Sequence, residues 1–260
     1  MVSKPLSMIR PEFAVVKGRR SRLQVPIKDV PLQPGVNLMS PNWSGAIGAG
    51  DVMFVSGQGT VPDALPAGSQ VSSSCATWVG IGGFFPGGGL GDLMSLIQAG
   101  TDQDVFDFAG VQLHGAYAWW EWLPEGDQQG AKTISNLKVS SGDVVVCSIC
   151  IEPPDAASFF LSNLTTGVST AFVKANPTTM PVINNSAEWI VEDPELNGQL
   201  APFARYGEVY FDNSIGGTIQ HELTPGNGDL ITMIDNSGNA ISTPQPPDTD
   251  TLFKVVYTGP

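Results

Sequence analysis

Along most of this chain, short runs of β-branched and aromatic residues alternate with turn formers, and no 3.6-residue apolar period survives between them. The runs that read as strands are Val52–Val55, Ala76–Ile81, Met94–Ala99, Ala116–Leu123, Val144–Ile151, Ser158–Leu161, Ser169–Val173, Glu188–Glu192, Glu208–Phe211, Leu230–Ile234 and Leu252–Tyr257. With 30 glycines and 21 prolines among 260 residues, long helices have no room. So many short strands, with no interior linker or repeat to divide them, predict an all-β, antiparallel sandwich or barrel in one domain.

The same alternation sorts polar residues by face. In Ala118-Trp119-Trp120-Glu121-Trp122, Trp119 and Glu121 share one face, and Trp120 and Trp122 the other. In Ala187 to Asp193, Glu188 and Glu192 lie on one face, which reads either as a solvated outer face or as a place where like charges are put to use. Gln98 interrupts an apolar strand, and a buried amide there is either a structural hydrogen-bond bridge or a site residue. Two loops also stand out. The segment Gly82 to Gly91 lacks the Gly-Lys-Ser/Thr ending of a phosphate loop and reads as a mobile surface turn; Ser242–Asp250, with three prolines, reads as a rigid connector.

Charge adds a division that hydropathy does not show. The net charge is -13, yet residues 1–28 carry +6, from Lys4, Arg10, Lys17, Arg19, Arg20, Arg22 and Lys28 against Glu12. The remainder carries -19, with only five cations. Such a body offers no phosphate-binding surface, which excludes nucleic acid as a partner. Once its carboxylates protonate it keeps little charge of either sign, so acid unfolding by self-repulsion is weak. Charge therefore sets a basic N-terminal arm apart from an acidic body. No apolar run reaches the roughly 20 residues of a membrane span, and the N-terminus shows no signal-peptide apolar region.

Several chemistries lack their parts. His114 and His221 are the only histidines, no His-Glu-x-x-His spacing occurs, and no metal or other cofactor is implied. Gly-x-Ser-x-Gly, Asp-Thr-Gly and Asp-Ser-Gly are all absent. Cys147 and Cys150, three apart on one strand, face opposite ways and are read, with Cys75, as small structural residues.

What remains is a set of carboxylates and an amide among aromatic strands, and in order these segments resemble the glutamic peptidases, or eqolisins, peptidase family G1. The resemblance runs through Asn42-Trp43-Ser44-Gly45-Ala46, Val55-Ser56-Gly57, Trp78-Val79-Gly80-Ile81, Ile97-Gln98-Ala99-Gly100, Ala118 to Trp122, Ser141-Gly142-Asp143, Asn163 to Gly167, Ala187 to Asp193 and Pro202-Phe203-Ala204. It implies a two-sheet antiparallel β-sandwich of the concanavalin A-like, jelly-roll type with a concave active-site face. It also implies a catalytic pair at Gln98 and Glu192, a cleft lined by Trp78 and Trp119, and polar cleft positions at Asp102 and Glu121. Two departures are that Gly82 stands where the family commonly has Asp, and Trp120 where Tyr is usual. The implied protein is a secreted, monomeric acid endopeptidase acting on protein or peptide substrates, with residues 1–41, the basic arm, as a self-processed pro-segment and residues 42–260 as the peptidase domain. Two rival readings remain on these residues: a glycoside hydrolase using Glu121 with Glu192, and a sugar-binding module stacking sugars on Trp78, Trp119 and Trp120.

Overall fold

The computed structural model describes residues 6–16, 19–20, 37–68, 72–84, 95–108, 111–124 and 130–260. Among them there is no helix. The strands are β1 (Ser7–Ile9), β2 (Phe13–Val15), β3 (Arg19–Arg20), β4 (Asn37–Ser40), β5 (Trp43–Ala49), β6 (Phe54–Thr60), β7 (Ser72–Gly82), β8 (Leu96–Phe108), β9 (Val111–Leu123) and β10 (Lys132–Ile134). They continue with β11 (Val144–Glu152), β12 (Ala156–Asn163), β13 (Val168–Ala175), β14 (Ser186–Glu192), β15 (Glu195–Leu196), β16 (Gln199–Leu200), β17 (Glu208–Gly217), β18 (Glu222–Leu223), β19 (Asp229–Ile234), β20 (Ala240–Pro244) and β21 (Phe253–Tyr257).

Pairing joins 18 of them into one continuous sheet that turns back on itself. One layer runs β10-β9-β8-β7-β14-β5-β19. The other runs β21-β17-β6-β11-β12-β13, and β20 hands the chain over between β19 and β21. The two parallel pairs, β1 with β13 and β4 with β19, are made by short N-terminal strands, and the rest of the network is antiparallel. The layers meet through the apolar face of each strand. Trp120 packs on Phe159 and Phe172 of the opposite layer, with ring centroids 5.3 and 5.7 Å away, and Trp189 donates its indole N–H to the Ser56 carbonyl at 2.9 Å.

The expected strands are present, with altered bounds where composition misleads. Strand β5, Trp-Ser-Gly-Ala-Ile-Gly-Ala, has no alternation to read because β14 and β19 flank it and both of its faces are buried. Strand β8 runs on past the expected end at Ala99 through Phe108, a stretch whose aspartates and glutamine carry no apolar run. The connector expected from Ser242 starts later, since Ser242 to Pro244 belong to β20. Of the glycine-rich turn, 85–91 lie outside the described residues, as does Met94; its described start is no surface turn, because Gly82 to Phe84 are buried. At Gly82, φ is +80°, and a side chain would meet the carbonyl oxygen of Ile183 at 2.1 Å, so only glycine fits there. Cys147 and Cys150 lie on opposite faces of β11, one buried and one exposed, and burial pushes the Cys147 thiol up to about 12.

The arm adds strands to both layers at the open edge of the sandwich. Strand β1 continues the second layer beside β13, and β2 continues the first beside β10. Between them Phe13 inserts edge-on against Trp120 and Phe172, with the Lys174 ammonium 4.2 Å from its ring centroid. Phe13→Ala removes this anchor while leaving the backbone pairs. It is expected to cost about 1–2 kcal/mol, half or less of the loss for a fully buried Phe, because Phe13 is 38% exposed. A urea melt checks this, and an unchanged midpoint contradicts it.

Candidate active site

Register across the first layer lines the polar residues up in two rows on the face turned away from the second layer. One row runs Asp229 (β19), Ile47 (β5), Glu188 (β14), Gly80 (β7), Gln98 (β8), Glu121 (β9). The other, four residues along each strand, runs Trp43, Glu192, Ala76, Asp102, Tyr117. Between them lies an aromatic row with Ile190, Trp78, Gly100 and Trp119. The period of two thus brings all six expected site residues, Trp78, Gln98, Asp102, Trp119, Glu121 and Glu192, to one face. Trp120 and Trp122 point the other way, into the core, so Trp120 is no stacking platform, and its replacement of Tyr is a change in the core rather than in the cleft.

Every member of this constellation is buried: Gln98, Asp102, Trp119 and Glu192 are 0% exposed, and Trp78 and Glu121 are 1%. Hence the face carrying Glu188 and Glu192 is not a solvated outer surface, and each polar group on it needs a partner. Glu192 has three. Its Oε1 accepts from Asn42 Nδ2 at 3.3 Å and Trp43 Nε1 at 3.0 Å, and its Oε2 accepts from Trp78 Nε1 at 2.8 Å. Three N–H donors suit a carboxylate, which when ionised only accepts. The two indoles meet edge to face, 4.8 Å between centroids, which fixes both donors. Gln98, two strands from Glu192 across β7, donates from Nε2 to Glu121 Oε2 at 2.9 Å, so Glu121 orients the amide. The Trp119 indole N–H has no hydrogen-bond partner among the described residues.

The sequence reading did not give a role to Asn42 or Trp43, although both stand in the first motif quoted. The chain orients them locally. The Ser40 hydroxyl accepts from the backbone N–H groups of Asn42 and Trp43 at 3.1 and 2.9 Å, and Asp193 N–H binds the Asn42 carbonyl at 2.9 Å. An amide and an indole immediately after such a turn were the available signal. His114 and His221 are both exposed and lie outside the constellation.

An amide and a carboxylate on one buried face, each held by its own donors or acceptors, agree with the match of residues 41–255 to the peptidase A4 family model. The chain belongs to the peptidase A4 family, the eqolisins or glutamic peptidases. It is 31% identical to aspergillopepsin-2 of Aspergillus niger over 195 residues, 67% of this chain and 64% of that protein. It is likewise 31% identical to scytalidopepsin B of Scytalidium lignicola over 206 residues, 75% of this chain and 71% of that one. The chain thus spans a little under two thirds of the first of these eqolisins. Among solved structures, the scytalido-glutamic peptidase bound to a transition state analog inhibitor superposes with a TM-score of 0.67 at 25% identity, covering 84% of this chain and 98% of its own. The β-sandwich is therefore the eqolisin sandwich, and the aligned share leaves room for the basic arm outside it.

Proposed function

We propose that the chain is an acid-acting endopeptidase in which Gln98 and Glu192 form the catalytic pair. The carboxylate of Glu192 removes a proton from a water molecule, and the water oxygen attacks the scissile carbonyl carbon. An N–H of the Gln98 amide stabilises the oxyanion that forms, and because an amide does not titrate in acid the donor persists at low pH. Glu192, now protonated, passes that proton to the leaving amine as the C–N bond breaks, which returns the carboxylate. Trp78 and Trp119 wall the cleft, Asp102 and Glu121 supply its polar positions, and the Trp119 N–H is a donor suited to a peptide carbonyl. The observation that carries this reading is the three-donor seat of Glu192 on the same face as Gln98, in a chain of this family. A glycoside hydrolase would need Glu121 as a second acid, whereas here it is committed to the Gln98 amide. The substrates are proteins or peptides, and the protein works as a secreted monomer. Digestion of denatured casein between pH 2 and 7 tests this. Activity is expected in acid and unaffected by chelator or pepstatin; activity lost to either overturns the assignment.

Residues 1–41 are proposed to be a pro-segment removed by the enzyme itself. Two features support this: the catalytic pair is fully buried in the full chain, and the arm is anchored on both flanks of the cleft face. Val16 N–H binds the Ala131 carbonyl at 3.0 Å near the β9–β10 edge, and β3 pairs with β15 just past Glu192. Charge attraction between a +6 arm and a -19 body weakens as carboxylates protonate. The described anchors of residues 6–16, main-chain pairs and the Phe13 ring contacts, do not, so release needs a cut as well as acid. On incubation at low pH, mass spectrometry is expected to show shortening of the wild type and none of Glu192→Gln. Equal shortening of both counts against self-processing.

A further inference from the structure

The cleft face of β14 carries a second carboxyl that the reaction above does not use. Glu188 is 0% exposed, and among the described residues neither of its oxygens has a well-formed hydrogen bond, the Ser186 hydroxyl two residues back on the same face lending it only weak support. It lies across from Gly80, and a methyl group there would sit 3.1 Å from Glu188 Oε2 and 2.8 Å from Trp78 Cζ3. The carboxyl and the six-membered ring of Trp78 therefore share the space that the missing side chain leaves. At its other end the same indole donates to Glu192. Trp78 is thus bracketed by the two carboxyls of β14, with Ile190 opposite it on that strand.

We propose that Glu188 is a positioning residue for the Gln98–Glu192 chemistry: uncharged, it braces the Trp78 indole that holds Glu192, and it leaves Glu192 the only charge that β14 presents to the cleft. The inference rests on the catalytic assignment made above. Burial holds the Glu188 carboxyl well above the usual carboxylate range, the Ser186 hydroxyl opposing this only in part, so the group stays protonated where the enzyme works. Among the described residues, no cation on this face offsets its ionisation. Among the described residues the titratable groups on this face are Glu192 on β14, Asp102 and Asp104 on β8, Tyr117 and Glu121 on β9, and Asp229 on β19, while β5 and β7 bring none. As pH rises far enough to ionise Glu188, a second negative charge on the strand repels ionised Glu192, and the charge draws the carboxyl away from the ring.

Glu188→Gln keeps the shape and removes the titration. Its kcat/KM on a peptide substrate is expected to lie within about threefold of wild type near pH 3 and to exceed it by about fivefold or more at pH 6–7, as the alkaline limb moves up. Glu188→Ala, which removes the brace, is expected to lose about tenfold or more in kcat with little change in KM. A Glu188→Gln profile superimposable on wild type overturns the proposal, whether or not Glu188→Ala folds. If Glu192→Gln is inactive while those profiles coincide, only this inference fails; an active Glu192→Gln removes the catalytic assignment itself.

Discussion

Glu192→Gln is expected to reduce kcat/KM on denatured protein at acidic pH by about 10³-fold or more, and Gln98→Ala by about 10²–10³-fold. The first change removes the only group in the scheme that takes the proton from water, and the second removes the oxyanion donor while leaving the base. Neither loss should come from unfolding. In Glu192→Gln the remaining carbonyl oxygen still accepts from Asn42 and Trp43 if it takes the place of Oε1, and the new NH₂ then faces the Trp78 N–H as donor against donor. That mismatch costs about 1–3 kcal/mol, which a domain of this size tolerates. Gln98→Ala removes the amide N–H that Glu121 Oε2 accepts on a buried face, a comparable penalty. Initial rates near pH 3, with far-ultraviolet circular dichroism beside them, are the measurement. A folded Glu192→Gln enzyme with rates within a few-fold of wild type would exclude Glu192 as the base.

Why the site was readable while parts of the fold were not follows from what each depends on. Which face Glu188, Glu192, Trp119 and Glu121 occupy follows from alternation alone, and the structure keeps those faces. That Gln98 and Glu192 belong together is a matter of register between β8, β7 and β14, strands distant in the chain, and no local pattern states it. There the resemblance to the eqolisins supplied what periodicity could not. Strand β5 went unread because a strand buried on both faces has no polar alternation to announce it. Strands β1 and β2 were unreadable for a different reason. They are three residues each, and they exist only because β13 and β10 offer open edges to pair with. The arm looked like charge alone, whereas residues 6–16 are held by strand addition and one aromatic ring.

Stability should fall as pH rises toward neutrality, and Glu188→Gln should remove a distinct part of that fall. The native pKa of Glu188 lies above its unfolded value, so the folded state holds the proton more tightly. Below the unfolded value, about 4.5, both states are protonated and Glu188 contributes nothing to the pH dependence. Between that value and the native one, the unfolded chain has released a proton that the native state retains, and each pH unit costs up to about 1.4 kcal/mol of stability. Above the native value the penalty is complete. Gln cannot ionise, so urea melts of wild type and Glu188→Gln should differ by a constant at pH 3 and 4. The variant should then gain on wild type as pH rises, by up to about 1.4 kcal/mol per unit. Carboxyls that do not interact with Glu188 shape both curves alike, so the difference between the curves reports Glu188 together with its repulsion of Glu192. Parallel curves from pH 3 to 7 would mean that Glu188 finds a partner when charged, and with it would go the physical basis for an acid-adapted cleft face on β14. A widening gap would locate part of the preference for acid in the native state itself, four residues along the same strand from the proposed base.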